Sequence, residues 1–500
     1  MDIIQQISAG FQLSLQPMNL FYCFVGVVIG TLIGVLPGIG PGGTIALLLP
    51  ISFKLPPLAA VIMLAGIFYG AMYGGSTTSI LVNIPGEAAS VVTCIDGYQM
   101  ARKGRAGPAL GISAMGSFIG ATMGLLGLMF LAPPMAKVAL EFGAPEYFGL
   151  ICLALTLLVY LGRGSILKSL ISAAIGLILS FMGQDVFTGE DRFTLGIIQL
   201  KDGVGLVPLF MGFFGVSEVL LNLEKPIQRQ IFQTKIKNLF PNLKDWKDSI
   251  WAILRGTLLG FFIGIIPGGS AVIASFASYA VEKKISKYPE RFGTGAIEGV
   301  AGPETANNAA AQASFIPLFA LGIPSNVAIA LLLGALMIHG IRPGPLMMTQ
   351  HPDIFWGVVA SMYIGNAMLL VFNLPLIGIW VQILRVPYKI LFPLIFLFCL
   401  IGSYSVDYSV FDVVVMNIFG VIGYAFRKME FEGAPLVLGF ILGPMLENAF
   451  RQSLVISYGS FLIFITRPIA AGFLLAAMII FLSGLLPFFK GKREFLKEES

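Results

Sequence analysis

The segment Pro37-Gly-Ile-Gly-Pro-Gly-Gly-Thr44 lies inside an otherwise apolar stretch, and its composition cannot sustain a helix. Proline removes a backbone donor and the four glycines cost helix stability, so a helix that enters this segment should break. A helix restarting near Thr44 would present free N–H groups and the positive end of its dipole, a natural seat for a carboxylate. Pro267-Gly-Gly-Ser270 repeats the arrangement. Either copy alone could equally be a tight turn at a membrane surface, but matching breaks in two halves of a chain point to a binding site. The candidate ligand-binding positions are therefore Gly38, Gly40, Gly42, Gly43 and Thr44, with Gly268, Gly269 and Ser270. A side chain at 38 or 268 would crowd both backbone and ligand, although a broken helix in a cavity has room that a packed core lacks.

A second pair of clusters adds polar side chains. The first holds Ser76, Thr77 and Thr78, then Asn83-Ile-Pro-Gly86-Glu87; the second holds Glu304-Thr305-Ala-Asn307-Asn308 and Gln312, then Gly322-Ile-Pro-Ser325-Asn326. Hydroxyls and amides this dense in apolar sequence are costly unless paired, so they should face a polar cavity. They could donate to ligand oxygens, while their own oxygens suit a hard cation such as Na+. Hydrogen bonding between helices is the alternative use of Ser, Thr and Asn. Ser76, Thr77, Thr78, Asn83, Gly86, Asn307, Asn308, Ser325 and Asn326 join the ligand set. Glu304, Thr305 and Gln312 are candidates for a coupling ion, Na+ or H+, although Glu304 could also serve a helix N-terminus. Asp96, close to a loop, is expected to be solvated.

Several chemistries are excluded. Gly38-x4-Gly43-Thr44 lacks the lysine a phosphate-binding loop requires. The two histidines, His339 and His351, have no metal-ligand spacing. No GxSxG elbow or Cys/His pairing suggests hydrolysis. Cys23, Cys94, Cys152 and Cys399 are scattered in apolar surroundings and read as buried hydrophobes. No resident metal or organic cofactor is expected.

These residues must be carried by membrane helices. The chain of 500 residues is 57% hydrophobic and 11% charged, with mean hydropathy +0.88, whereas soluble domains carry about 25% charge. Leu110–Leu131, Gly203–Leu221, Ile354–Leu384, Leu391–Gly402 and Pro468–Phe489 read as membrane-embedded runs. Met1 to Gln16 carry no Lys or Arg, so no secretory leader is expected. The net charge of +5 fits basic cytoplasmic loops and does not suggest nucleic acid.

The chain also reads as duplicated. Gly26, Gly30, Gly34, Pro37 and Gly38 recur as Gly256, Gly260, Gly264, Pro267 and Gly268, each 230 positions on (256 less 26). Ile84-Pro85 recurs as Ile323-Pro324, 239 positions on (323 less 84). Two matches in one order indicate a repeat. Residues 1–221 form the first membrane repeat, 222–250 a basic cytoplasmic linker, 251–489 the second repeat and 490–500 a charged tail. Equivalent loops carry opposite charge bias: Lys54 alone stands against Lys283, Lys284, Lys287 and Arg291, whereas Arg102, Lys103 and Arg105 stand against Arg342 alone. By the positive-inside rule the repeats are inverted, with the amino terminus outside.

At these clusters the sequence resembles the large permease subunit of tripartite tricarboxylate transporters, the TctA-like family. The resemblance rests on Gly34-Val-Leu-Pro-Gly-Ile-Gly-Pro-Gly-Gly-Thr44, Tyr73-Gly-Gly-Ser-Thr-Thr-Ser79, Asn83-Ile-Pro-Gly86, Gly299-Val-Ala-Gly-Pro-Glu-Thr-Ala-Asn-Asn308 and Leu321-Gly-Ile-Pro-Ser-Asn326. Ser325 stands where the pattern leads one to expect glycine. The resemblance implies symport of carboxylates such as citrate across the bacterial inner membrane, driven by Na+ or H+. It also implies a small membrane subunit and a periplasmic substrate-binding protein as partners. The combined expectation is an all-α polytopic membrane protein of about 10–12 segments, built as two inverted-topology repeats with broken or re-entrant helices. A membrane-embedded enzyme acting on a lipid would need a reactive constellation that the sequence lacks, and a purely structural subunit would not need paired breaks.

Overall fold

Prolines set where many of the membrane helices start. Pro17, Pro57, Pro145 and Pro352 stand in the first turns of their helices, where the missing N–H costs nothing. The computed structural model describes residues 3–36, 40–162, 165–224, 239–383 and 388–485. Residues 225–238, the middle of the expected linker, and the expected charged tail 490–500 lie outside them.

The protein is all-α and polytopic. Among the described residues nine helices are long and apolar enough to cross a membrane, and five apolar helices are shorter. The first half runs α1 (Ile3–Ser14), α2 (Pro17–Val35), α3 (Gly40–Ser52), α4 (Pro57–Val82), α5 (Val91–Arg102), α6 (Ala106–Ala139), α7 (Ala144–Leu161) and α8 (Ile166–Ser180). A ninth helix, α9, covers Leu206–Glu224 and is the fifth of the nine long spans. The second half runs α10 (Leu243–Ile265), α11 (Ala271–Ile285), α12 (Glu298–Ala313), α13 (Phe315–Leu321), α14 (Val327–Ile338) and α15 (Pro352–Asn373), followed by α16 (Tyr388–Asp407), α17 (Val410–Lys428), α18 (Gly433–Ile456) and α19 (Pro468–Leu485). α10 starts inside the expected linker because Asn242 and Asp245 cap each other's backbone. The apolar run expected to continue from Ile354 to Leu384 divides after Asn373, where Pro375 cannot extend the helix.

α2 packs on α4 more extensively than any other pair, and α10 on α12 comes next. Both contacts are made by glycine. A Cβ on Gly26, Gly30 or Gly34 would lie 2.3, 2.6 or 2.4 Å from the carbonyl oxygens of Met63, Ile67 and Ala71. A Cβ on Gly256, Gly260 or Gly264 would lie 2.4, 2.2 or 2.5 Å from those of Gly302, Ala306 and Ala310. The glycines are offset by 230, and their carbonyl partners by 239 (302 less 63), the offset that also relates Ile84 to Ile323. Without a hydrophobic force between helices in lipid, such close backbone approach is what holds them together. α4 is buried over 94% of its apolar window, so it is a span hidden from lipid.

Polar contacts then gather the loops. Asp96, expected to be solvated, is fully buried. It accepts N–H bonds from Gly293, Gly295 and Ala296 at 2.9, 2.6 and 2.8 Å and the Tyr279 hydroxyl at 2.9 Å. Four donors replace water, which is why the carboxylate tolerates burial. Nearby, Arg105 pairs with Asp245, and the Lys103 ammonium donates to the Thr294 carbonyl at 2.5 Å. Elsewhere the His339 ring meets the Ser52 carbonyl at 3.1 Å, and the Ser14 hydroxyl donates to that of Gly357 at 2.6 Å. The connection from α8 to α9 holds a two-residue antiparallel ladder, Gly183–Gln184 with Asp191–Arg192. Arg451 clamps this connection to α18 through both oxygens of Asp185, at 3.0 and 2.8 Å. That guanidinium holds the Asp185 carboxyl well below the usual carboxylate range.

Gly260→Leu should therefore destabilise the protein by at least the 1–3 kcal/mol or so typical of overpacking, because its Cβ would meet backbone that cannot move aside. Gly472, where an added Cβ meets nothing within 4 Å, should accept the same change. Monodisperse yield on size-exclusion chromatography in detergent reads the difference; equal yields would contradict the packing account.

Candidate functional site

Three helices begin at the walls of one cavity of about 500 Å3. α3 contributes Pro41 and Gly42, α11 contributes Ser270 and Ala271, and α14 contributes Asn326 and Val327. The Ser270 hydroxyl accepts from the Ile273 N–H at 3.3 Å, and the Asn326 amide oxygen accepts from that of Ile329 at 3.1 Å. Each cap satisfies one of the first-turn donors and leaves the rest of the turn oriented by the dipole. The Gly268 N–H donates to the Ser325 carbonyl at 3.1 Å, which ties the two second-half breaks together. Phe68, Met72, Leu158 and Phe214 make much of the remaining wall apolar, and Arg427 and Glu432 complete it. Arg427 pairs with Glu218 at 3.0 Å while its side chain remains 44% exposed.

Of the positions expected to bind ligand, Gly42, Gly268, Ser270, Ser325 and Asn326 line this cavity. Gly38 lies outside the described residues. Gly40 starts α3 with φ +67°, and Gly43 and Thr44 are buried in its first turn, the Thr44 hydroxyl donating to the Gly40 carbonyl at 2.9 Å. Gly269 and Gly86 are packing positions: a Cβ would stand 1.9 Å from the Ile263 and Gly34 carbonyl oxygens respectively. Asn83 ends α4 in the left-handed conformation with φ 57° and is exposed. The Thr78 hydroxyl donates to the Val35 carbonyl at 2.7 Å and closes the last turn of α2. A side chain at Gly268 would crowd backbone, as its place in the break leads one to expect. Its φ is +82°, and a Cβ would lie 2.9 Å from the backbone of Leu158. Glycine is needed there by the chain itself, before any ligand arrives.

The other candidates form a separate, fully buried polar centre. Ser76 donates to Glu304 at 2.5 Å, and Thr93 donates to its second oxygen. Asn308 donates to Ser117 at 2.8 Å, and Asn307 donates to Glu87 at 3.3 Å. Ser76 and Thr77 line a void of about 10 Å3, space for roughly one water. Thr305 bonds back to the Ala301 carbonyl at 2.7 Å and packs on Gly120. Gln312 is fully buried with neither amide atom partnered, and the Asn307 and Asn308 amide oxygens are likewise unpartnered. Glu87 connects the two places, since it lines the cavity and bonds to Asn307.

Sequence reasoning missed Arg427 and the α7 and α9 walls. Arg427 sits in the last turn of an apolar helix, where a basic residue is ordinary, so nothing in its sequence context sets it apart.

A multi-span helical protein with a cavity walled by interrupted helices has the architecture of a membrane transporter. The chain belongs to the tripartite tricarboxylate transporter TctA family, whose model matches residues 20–438. The family implies a system of three parts in which this chain has other subunits as partners. The chain is similar to an uncharacterized 52.8 kDa protein in the TAR-I ttuC' 3' region of Agrobacterium vitis, 51% identical over 501 residues and 100% of both chains. It is also similar to an uncharacterized protein in the TAR-II ttuC' 3' region of that organism, 52% identical over 235 residues, which is 47% of this chain and 97% of that protein. No solved structure matches the chain.

Asn326 separates capping from electrostatics. Asn326→Asp keeps the cap but adds negative charge at the cavity wall, and it should raise KM for an anionic substrate at least tenfold with little loss of stability, about 1.4 kcal/mol of affinity. Asn326→Ala should instead cost about 1 kcal/mol of stability with a smaller KM effect. Uptake kinetics and thermal melting of both variants test this; identical KM values would remove the cavity from the transport path.

Proposed function

We propose that this chain is the permease subunit of a binding-protein-dependent secondary transporter that brings small carboxylates into the cell across a bacterial inner membrane. The substrate is a tricarboxylate such as citrate, or a related di- or monocarboxylate, and entry is symport with Na+ or H+. The observation that carries the reading is the convergence of the α3, α11 and α14 N-termini on one cavity with Arg427 in its wall. Oriented N–H groups and a guanidinium suit a carboxylate, and the apolar remainder suits a short carbon skeleton. A small membrane subunit and a periplasmic binding protein complete the system on the family's pattern.

Two inverted repeats, 1–221 and 251–489, fit the matching glycine ladders and the order of helices around each break. The loop contacts support the same topology. Basic segments assigned to the cytoplasm meet one another, through Arg105 with Asp245 and Lys103 with Thr294. Charge-poor segments assigned to the outside also meet, through His339 with Ser52 and Ser14 with Gly357. The cavity rim at Gly162, Arg427 and Glu432 lies close to Lys168, which donates to the Met429 carbonyl at 2.7 Å, and to Lys428, paired with Glu224 at 2.5 Å. Glu224 leads into the basic linker, so the cavity faces the cytoplasm. Buried Glu304, with Thr305 and Gln312 on the same helix, is the proposed ion centre, and its hydroxyl shell would accept a proton or a dehydrated Na+.

Proteoliposomes holding the complete complex should accumulate at least one carboxylate from a panel of tri-, di- and monocarboxylates under a Na+ or proton gradient. Accumulation of none by a stably assembled complex would refute the transport reading. Saturable uptake by the permease alone would refute dependence on a binding protein.

Topology has its own test. Cysteine at Lys284 should react with a membrane-impermeant maleimide from the cytoplasmic side and cysteine at Lys54 from the periplasmic side. Labelling of both from one face would rule out inversion.

A further inference from the structure

The cavity that would receive an anion already contains a carboxylate. Glu87 lines it and is 7% exposed. Its partners are the Ala89 N–H at 2.6 Å and the Asn307 amide at 3.3 Å, and the Ser90 hydroxyl bonds to its backbone. Among the described residues no Lys or Arg lies within ion-pair distance of it. Around it, α5 contributes Cys94 and α12 contributes Glu304, while Tyr73 of α4, whose hydroxyl is bonded to Asn366, stands on the Glu304 side. On α11, Tyr279 is bonded to Asp96 and Glu282 to Arg255. On the cavity wall stand Arg427, paired with Glu218, and Glu432.

A carboxylate substrate entering this space would meet an unpaired anion in a low-dielectric enclosure, where like charges repel strongly. The repulsion ends only if a cation neutralises Glu87. Resting on the transport reading above, we propose that Glu87 is the group that couples cation entry to substrate binding, holding one H+ or one Na+ while the anionic substrate occupies the cavity. The Asn307 amide supplies the second half of the seat. Its oxygen is buried and unpartnered, and turning the amide by 180° would aim that oxygen at Glu87. Two oxygens would then face a Na+, while for a proton the same oxygen would accept from the protonated acid. Substrate and cation would thus stabilise each other's occupancy and cross together, with Glu304 as the deeper carboxylate next to them.

A purely structural Glu87 would be a cap for the helical turn that starts α5. Glu87→Gln preserves that role, because the amide oxygen still accepts from Ala89, but it can neither take up and release a proton nor supply the negative charge that would hold a Na+. In proteoliposomes of the complete complex, Glu87→Gln should lower gradient-driven accumulation at least tenfold and make substrate exchange independent of pH and Na+. Parallel arms with a proton gradient alone and a Na+ gradient alone identify the cation. Wild-type gradient dependence in Glu87→Gln overturns the inference and leaves the transport reading intact. Loss of exchange in a complex of normal yield and melting temperature also overturns it, assigning Glu87 a direct substrate contact. Should Glu87→Gln fail to assemble, Glu87→Asp, which withdraws the carboxylate from Asn307, should shift the half-activating cation concentration at least threefold; an unshifted midpoint overturns the coupling role. A wild-type complex that carries no carboxylate sinks the transport reading, and this inference with it.

Discussion

A helix that stops inside a bilayer leaves backbone donors and acceptors that lipid cannot satisfy. This chain resolves that constraint by setting its breaks against one another. The Gly268 N–H reaches the Ser325 carbonyl, so one interruption supplies the partner of the next. The Thr78 hydroxyl takes the Val35 carbonyl at the end of α2, and Ser270 and Asn326 cap the restarting helices. The first turns of α3, α11 and α14 open on the cavity. On the proposed reading a carboxylate there would take remaining first-turn donors, so the geometry that solves a folding problem would also serve binding.

The close approach required for this mutual satisfaction comes from glycine. Gly34 is the last rung of the α2 ladder on α4, and it also receives Gly86, whose Cβ would strike its carbonyl. The first break is therefore positioned by the contact that holds the two helices together. The second ladder does the same for α10, where Gly264 lies against Ala310 just before the break at Gly268. α12 carries three roles on its faces: small residues against α10, Thr305 against Gly120 of α6, and Glu304, Asn307 and Asn308 toward the polar centre.

The parts legible in the sequence were those governed by local chemistry. Prolines such as Pro50, Pro133 and Pro303 lie inside helices, but α2 and α10 end just before the Pro-Gly clusters at Pro37 and Pro267, so the interruptions after Leu36 and at 266–270 could be placed, and their spacing is what suggests a repeat. Distant partners were not legible. Asp96 looks like a loop residue until Gly293, Gly295 and Ala296 supply three donors from about 200 positions away. The sequence presented a single polar site, whereas folding divides it. Ser76 and Glu304 point into a buried centre, Ser325 and Asn326 into an open cavity, and only the path of α4 past α12 determines which goes where. Gly268 stands on the cavity wall and against backbone, but spacing does not reveal that the backbone it meets is that of Leu158.

The ladders also limit how such a protein can alternate. Helices in contact at positions where a single methyl group would strike a carbonyl have no slack to slide or roll. α2 with α4, and α10 with α12, must therefore move as rigid pairs. The cavity wall opposite the breaks is different in kind. It is built from bulky, adaptable side chains such as Leu158, Leu161, Phe213, Phe214 and Phe431, contributed by α7, α9 and the approach to α18. α9 itself contains a π-helical stretch, Met211–Val216, a form of local strain that marks working segments of helices. On the proposed transport reading, relative motion would run along that soft wall, with the breaks, Glu87 and the buried centre carried together. A substrate held by the helix N-termini would then keep its partners while the wall exchanges one face of the membrane for the other.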